Sequence, residues 1–197
     1  MNVNTTAPAT FLEKLREVTA PSHQALENLE ISRKIISPEV TKSDYAEYLM
    51  YMHDVVEDIE KNIFPVLAPY IPDINSRKRI HLIENDLQNM GVEYKTGIKP
   101  VTAEGFRNNT AFAFGAMYVV EGSTLGGRFI YKNINTILQY NENTGASYFA
   151  GYGNTTGSHW KQFLEAFTTY AADNTNAVSE MIAGATHTFN AIKKYLS

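Results

Sequence analysis

The sequence predicts an all-α fold, a helical bundle containing one glycine-rich helix. Three observations carry this. Apolar residues return every three to four positions through most of the chain, the repeat of helices that bury one face. Val92–Val101 is the only modest strand candidate, and no alternation of strands with helices surrounds it. The 197 residues are 44% hydrophobic and 12% aromatic, enough for one sizeable core.

Residues 1–10 are mostly small and polar, so a flexible tail is expected there and a single domain over 11–197. Phe11, Leu12, Leu15, Val18, Ala25, Leu26 and Leu29 define a first helix over roughly 9–30. Pro21 lies inside it and removes a backbone hydrogen bond, so a bend or restart is expected two residues before His23. Ile31–Ile36 reads as a short helix ended by Pro38. Thr41-Lys-Ser-Asp opens a long helix, with Thr41 or Ser43 as its cap. The stripe of that helix is Tyr45, Tyr48, Leu49, Met52, Val55, Val56, Ile59 and Phe64. Pro65, Pro69 and Pro72 mark a loop, and residues 75–90 form an amphipathic helix ending at Gly91. The glycine-rich helix follows at about 108–139. Asn141–Ser158 holds glycines 145, 151, 153 and 157 and is the longest irregular connection, hence a candidate functional loop. Trp160–Ala172 and Val178–Leu196 complete the chain as two helices.

The glycine-rich helix has an apolar run, Ala111-Phe-Ala-Phe-Gly-Ala-Met, followed by Tyr118–Lys132 with Gly122, Gly126 and Gly127. Each glycine costs roughly 0.5–1 kcal/mol relative to alanine in a helix interior. Something must repay that cost. At about 100° per residue, Ala111, Gly115, Tyr118, Gly122 and Gly126 fall within one quadrant. The stripe of missing side chains suits a ligand touching the backbone. It equally suits a close helix–helix crossing. A strand followed by a phosphate loop ranks third, because Gly-Ser-Thr-Leu-Gly-Gly-Arg has neither phosphate-loop nor dinucleotide-loop spacing.

Composition excludes several classes. A net charge of −4 and a pI near 5.7 argue against nucleic acid as the main partner. No apolar run is long enough for a membrane span, and no basic-then-apolar leader precedes the first helix, so a cytoplasmic protein without membrane association is expected. The absence of cysteine removes disulfides, thiolate metal sites and cysteine nucleophiles together.

The histidines are His23, His53, His81, His159 and His187; none follows an acidic residue at the Glu-x-x-His spacing of di-iron bundles, and His-Glu-x-x-His is absent too. His23 has the best context. Arg16 lies seven residues earlier on the same face, roughly 10 Å along the axis. One face thus offers an imidazole for a metal and a guanidinium for an anion, a geometry that suits haem and its carboxylates. An ordinary amphipathic helix with a solvated arginine has the same spacing.

Leu15-Arg-Glu-Val-Thr-Ala-Pro-Ser-His-Gln-Ala-Leu-Glu resembles the first helix of the haem oxygenase family. Tyr118-Val-Val-Glu-Gly-Ser-Thr-Leu-Gly-Gly resembles the distal helix of that family's bacterial, biliverdin-producing branch. Tyr148-Phe-Ala-Gly-Tyr-Gly and Gly157-Ser-His-Trp-Lys-Gln-Phe are similar to bacterial members, including phytochrome-associated ones. The resemblance covers nearly the whole chain and implies a haem oxygenase-like bundle with haem held between a proximal and a glycine-rich distal helix. By this resemblance His23 is the iron ligand, and Gly122 and Gly126, with Gly127 beside them, place bare backbone over the haem. Arg16 matches a basic position that holds a propionate, Tyr118 matches a tyrosine with that task in some bacterial members, and Lys161 falls near a lysine used similarly. Many members carry an aspartate after the first distal glycine, where it organises water. Here that position is Ser123.

The implied reaction opens haem to biliverdin, carbon monoxide and ferrous iron, using dioxygen and electrons from an external ferredoxin- or flavodoxin-like donor. Haem is then both substrate and cofactor. Two other classes remain open from the residues alone. One is a haem carrier of the same fold that does not cleave its ligand. The other is a haem-free relative, although thiaminase chemistry needs a cysteine that this chain lacks.

Overall fold

The computed structural model describes residues 8–95 and 97–197, with side chains from Phe11 onward. The chain there forms nine α-helices and three short 3₁₀ turns, and no strand is present among the described residues. The helices are α1 (Pro8–Glu27), α2 (Glu30–Lys34), α3 (Lys42–Asn62), α4 (Phe64–Leu67), α5 (Ile80–Asn89), α6 (Thr110–Leu138), α7 (Ser147–Ala150), α8 (Thr156–Asp173) and α9 (Val178–Leu196). Of the tail expected at 1–10, residues 1–7 lie outside the described residues, and Pro8–Thr10 already belong to α1.

Local chemistry explains where the helices start. Thr41 caps α3: its hydroxyl accepts from the Asp44 amide at 3.1 Å, and the Asp44 carboxylate accepts from the Thr41 amide at 2.9 Å. Each side chain satisfies an amide that the helix leaves free. Asn109 caps α6 through the Phe112 amide at 2.9 Å. Two caps come from distant residues. The Glu60 carboxylate accepts from the amides of Arg79 and Ile80 at the start of α5. Asp86 accepts from the amides of Ser147 and Tyr148 at the start of α7.

These tertiary caps account for the main departures from expectation. The helix expected over 75–90 is divided into a 3₁₀ turn, Ile74–Arg77, and α5, because Glu60 holds the chain open at Arg79. The proline-marked loop contains one helical turn, α4, with Pro65 in its first turn, where a missing amide costs nothing. The glycine-rich connection is shorter than expected, since α7 occupies part of it and α8 begins at Thr156. Helix α1 runs unbroken through Pro21.

Helix α6 organises the packing. Residues Ala111–Met117 are buried on every side, as an apolar run without polar positions requires. It packs most extensively on α9. A Cβ added at Gly115 would stand 2.0 Å from the Met181 carbonyl oxygen, and one at Gly184 would stand 2.2 Å from that of Phe112. The two backbones therefore touch through paired glycines. Buried residues form two clusters, and both α3 and α6 contribute to each. An aromatic ladder on α8, Trp160–Phe163–Phe167, continues into Phe11, Phe114 and Tyr118 with ring centres 5.3–6.0 Å apart. Burying one such ring contributes about 1.5–3 kcal/mol.

Candidate functional site

Helices α1, α3, α6 and α9, with Trp160 of α8, enclose a cleft of about 440 Å³. From α1 come Arg16, Thr19, Ala20, His23 and Leu26, and from α6 come Tyr118, Val119, Val120, Gly122, Ser123 and Leu125. The remaining wall is mostly apolar: Met52, Val55, Phe189, Ile192 and Leu196, with Tyr48 among them. Such a cleft, apolar with a few polar groups, is the usual form of a small-molecule site.

His23 stands at the α1 wall with its side chain 54% exposed. Its ring meets Phe189 edge-on, with centres 5.4 Å apart at 84°. Its Nδ1 lies 3.5 Å from the Glu27 carboxylate one turn further on. A carboxylate beside Nδ1 favours the tautomer that carries its proton there and leaves Nε2 with a free lone pair. A metal-binding histidine needs that arrangement. The residues present therefore fit an iron porphyrin: a nitrogen ligand, an arginine on the same wall and an apolar interior.

The opposite wall sorts the glycines. Gly122 lines the cleft, and a Cβ there would meet only the Trp160 ring, at 3.6 Å. Ser123 also lines it. The Ser123 hydroxyl donates to the Val120 carbonyl at 2.7 Å, so its oxygen faces other partners as an acceptor. Tyr118 lines the cleft, its ring stacked on Phe167 and tilted against Trp160. Gly126 is exposed, and a Cβ there would meet nothing within 4 Å; it is not part of the lining. Gly127 is turned to the other side of α6, buried, with Phe149 3.5 Å from where its Cβ would be. Lys161 follows Trp160, is exposed and is also outside the lining.

Beneath this wall lies a charged cluster that the sequence reading missed. Arg77, fully buried, donates to Glu121 at 2.7 Å, to the His159 carbonyl at 3.2 Å and to Asp73 at 2.8 Å. The Tyr152 hydroxyl donates to the other Glu121 oxygen at 3.0 Å, and its ring stacks on His159 with centres 4.1 Å apart. Burial alone would lower the Arg77 pKa, but the Asp73 hydrogen bond and the Glu121 charge outweigh it and hold the group above its ordinary value. Burial, followed by the Glu121 charge, raises the Tyr152 phenol well above its usual range, so it stays a proton donor. The signal available in the sequence was Glu121 itself. A carboxylate inside Tyr-Val-Val-Glu-Gly, between buried valines and a bare glycine, requires a cation.

An all-α chain that sets a carboxylate-oriented imidazole against a bared helix, across an apolar cleft with an arginine at its wall, belongs to the class that holds a flat metal macrocycle. The haem oxygenase family model matches residues 9–197, and the chain belongs to that family. It is 29% identical over 171 residues to heme oxygenase PigA of Pseudomonas aeruginosa, covering 82% of each chain. The NO- and CO-bound heme oxygenase of Neisseria meningitidis superposes with a TM-score of 0.77 at 27% identity, covering 94% of this chain and 89% of that one. The haem complex of heme oxygenase-1 from the cyanobacterium Synechocystis shares the fold, with a TM-score of 0.71 at 19% identity, covering 94% and 90%.

Proposed function

We propose that this chain is a haem oxygenase that binds haem in the 440 Å³ cleft and cleaves it to biliverdin, carbon monoxide and ferrous iron. The observation that carries this reading is the meeting of His23 and Gly122, from helices 83 residues or more apart in sequence, on the lining of one cleft in a member of the family. Haem, when bound, supplies both the iron that activates dioxygen and the ring that is opened.

The chain's own residues have four tasks. His23 would hold the iron, and the Glu27 carboxylate 3.5 Å from its Nδ1 would favour the tautomer that leaves the other ring nitrogen free to do so. Arg16 and Tyr118, both on the lining, anchor the haem carboxylates. Lys161 lies off the lining and reaches a carboxylate only by swinging its long side chain. Gly122 keeps the distal wall close and free of side chains, and Ser123 offers an acceptor oxygen that can hold a water there. Gly126 leaves the next turn bare, and Gly127 lets Phe149 pack behind it. Two cores sharing α3 and α6 support treating 11–197 as one domain. As the resemblance to the family implies, the electrons come from outside, from a small ferredoxin- or flavodoxin-like protein. No described helix is long and apolar enough to cross a membrane.

The test is spectroscopic. Hemin added to the protein should give the spectrum of a histidine-ligated haem, and reductant with oxygen should convert it to biliverdin. A haem spectrum that survives reductant and oxygen would mean a carrier. His23→Ala should still admit haem but lose the native axial ligation; an unchanged spectrum and turnover would refute His23 as the ligand.

A further inference from the structure

Helix α3 carries ionisable groups on the face turned away from the cleft. At about 100° per residue, the cleft-lining Tyr48, Met52 and Val55 occupy one side of the helix, and His53, Asp54 and Glu57 occupy the opposite side. His53 and Asp54 are among the most enclosed polar side chains in the molecule, 1% and 7% exposed. Neither ring nitrogen of His53 has a hydrogen-bond partner among the described residues, and neither does Asp54 Oδ1. Such groups are normally satisfied when buried, and each exception calls for an explanation. Here the three side chains each offer a ligand atom, and these atoms lie within 4.8 Å of one another.

The surroundings hold the group in place. The Tyr195 hydroxyl donates to Asp54 Oδ2, leaving Oδ1 free. The Tyr94 ring covers His53 with centres 4.5 Å apart. Glu84 reaches from α5 to 3.7 Å from His53 Nε2. Lys61 pairs with one Glu57 oxygen at 2.7 Å, which leaves the second oxygen available. Ligand distances of about 2.0–2.2 Å place neighbouring tetrahedral donors roughly 3.4 Å apart, so closing on an ion needs side-chain movements of about 1 Å.

We propose that His53, Asp54 and Glu57 bind one divalent transition-metal ion. An imidazole nitrogen joined to carboxylates suits zinc, cobalt or ferrous iron, whereas magnesium and calcium prefer oxygen alone. The site is separate from the cleft. It uses no residue of the cleft lining, and it does not depend on the chain's reaction with haem.

The experiment uses the full chain without haem. Zinc is titrated by calorimetry with magnesium in large excess, and cobalt by visible absorption. One saturable equivalent is expected, with cobalt bands typical of nitrogen and oxygen ligation. Loss of an outer-shell partner typically weakens a metal site by about 10–100-fold, so removing the only nitrogen ligand in His53→Ala should exceed that range. Glu57→Gln, a partly exposed position whose change should leave folding intact, should weaken binding as well and abolish the zinc-induced rise in Tm. His81→Ala, at an exposed histidine, should change nothing at this site. No saturable equivalent, equal competition by magnesium, or undiminished affinity in both His53→Ala and Glu57→Gln would overturn the proposal.

Discussion

A Cβ at Gly122 would point at Trp160 from 3.6 Å, whereas one at Gly126 would meet open space. Two glycines one turn apart on the same helix therefore do different things. The space beside Gly122 is the cleft itself, so a longer side chain there competes with any ligand in it. Gly122→Leu should lower haem turnover at least about tenfold, equivalent to about 1.4 kcal/mol, while the protein stays folded; wild-type rates would end the idea that this backbone borders the haem. Gly126→Ala meets no obstacle and gains helix propensity, so it should raise stability by about 0.5–1 kcal/mol in a denaturation experiment. A loss of stability there would mean that a neighbour occupies the space.

At the level of the helix, the small-residue stripe of α6 changes partner along its length. Ala111, Gly115, Tyr118, Gly122 and Gly126 share a quadrant, and the helix-crossing reading of that stripe holds at Gly115, while the ligand reading has its place at the cleft. Gly115 makes the close crossing with α9, while Tyr118 and Gly122 line the cleft. Spacing cannot separate the two, because an approaching backbone and an approaching ligand demand the same missing Cβ. The crossing is the less forgiving of them. At Gly115 the obstruction is the carbonyl of Met181 at 2.0 Å, which cannot rotate away. Gly115→Ala should cost at least about 1–3 kcal/mol despite its better propensity. For a chain of this length that is a fall of several degrees in Tm, and an unchanged Tm would contradict the packing.

Across the whole molecule, the α6 wall of the cleft is held by an ion pair and a phenol brought together from three places in the chain. Arg77 comes from a 3₁₀ turn, Glu121 from α6, and Tyr152 from the connection before α8. Breaking a buried ion pair leaves the surviving charge without a partner. Arg77→Met should therefore destabilise the protein by about 3–5 kcal/mol in chemical denaturation. Replacing both partners, Arg77→Met with Glu121→Leu, should recover much of that loss, because no buried charge is then left unpaired; Asp73, which also pairs with Arg77, is exposed enough to be solvated. A single variant as stable as the parent would show that the pair contributes nothing to holding α6.

Helix periods, the Thr41 start signal, the glycine stripe and the His23–Arg16 face were all legible in the sequence, because each depends on residues within a few positions of one another. Glu60 and Asp86 capping helices far along the chain, the division of 75–90, and the burial of Arg77 against Glu121 were not. Those depend on which segments meet, and local periodicity carries no information about partners. The same limit applied to the site: the sequence supplied an imidazole and a row of missing side chains, and only the packing of α1, α3, α6 and α9 decided which glycine faces the cleft, which faces a neighbouring helix and which faces water.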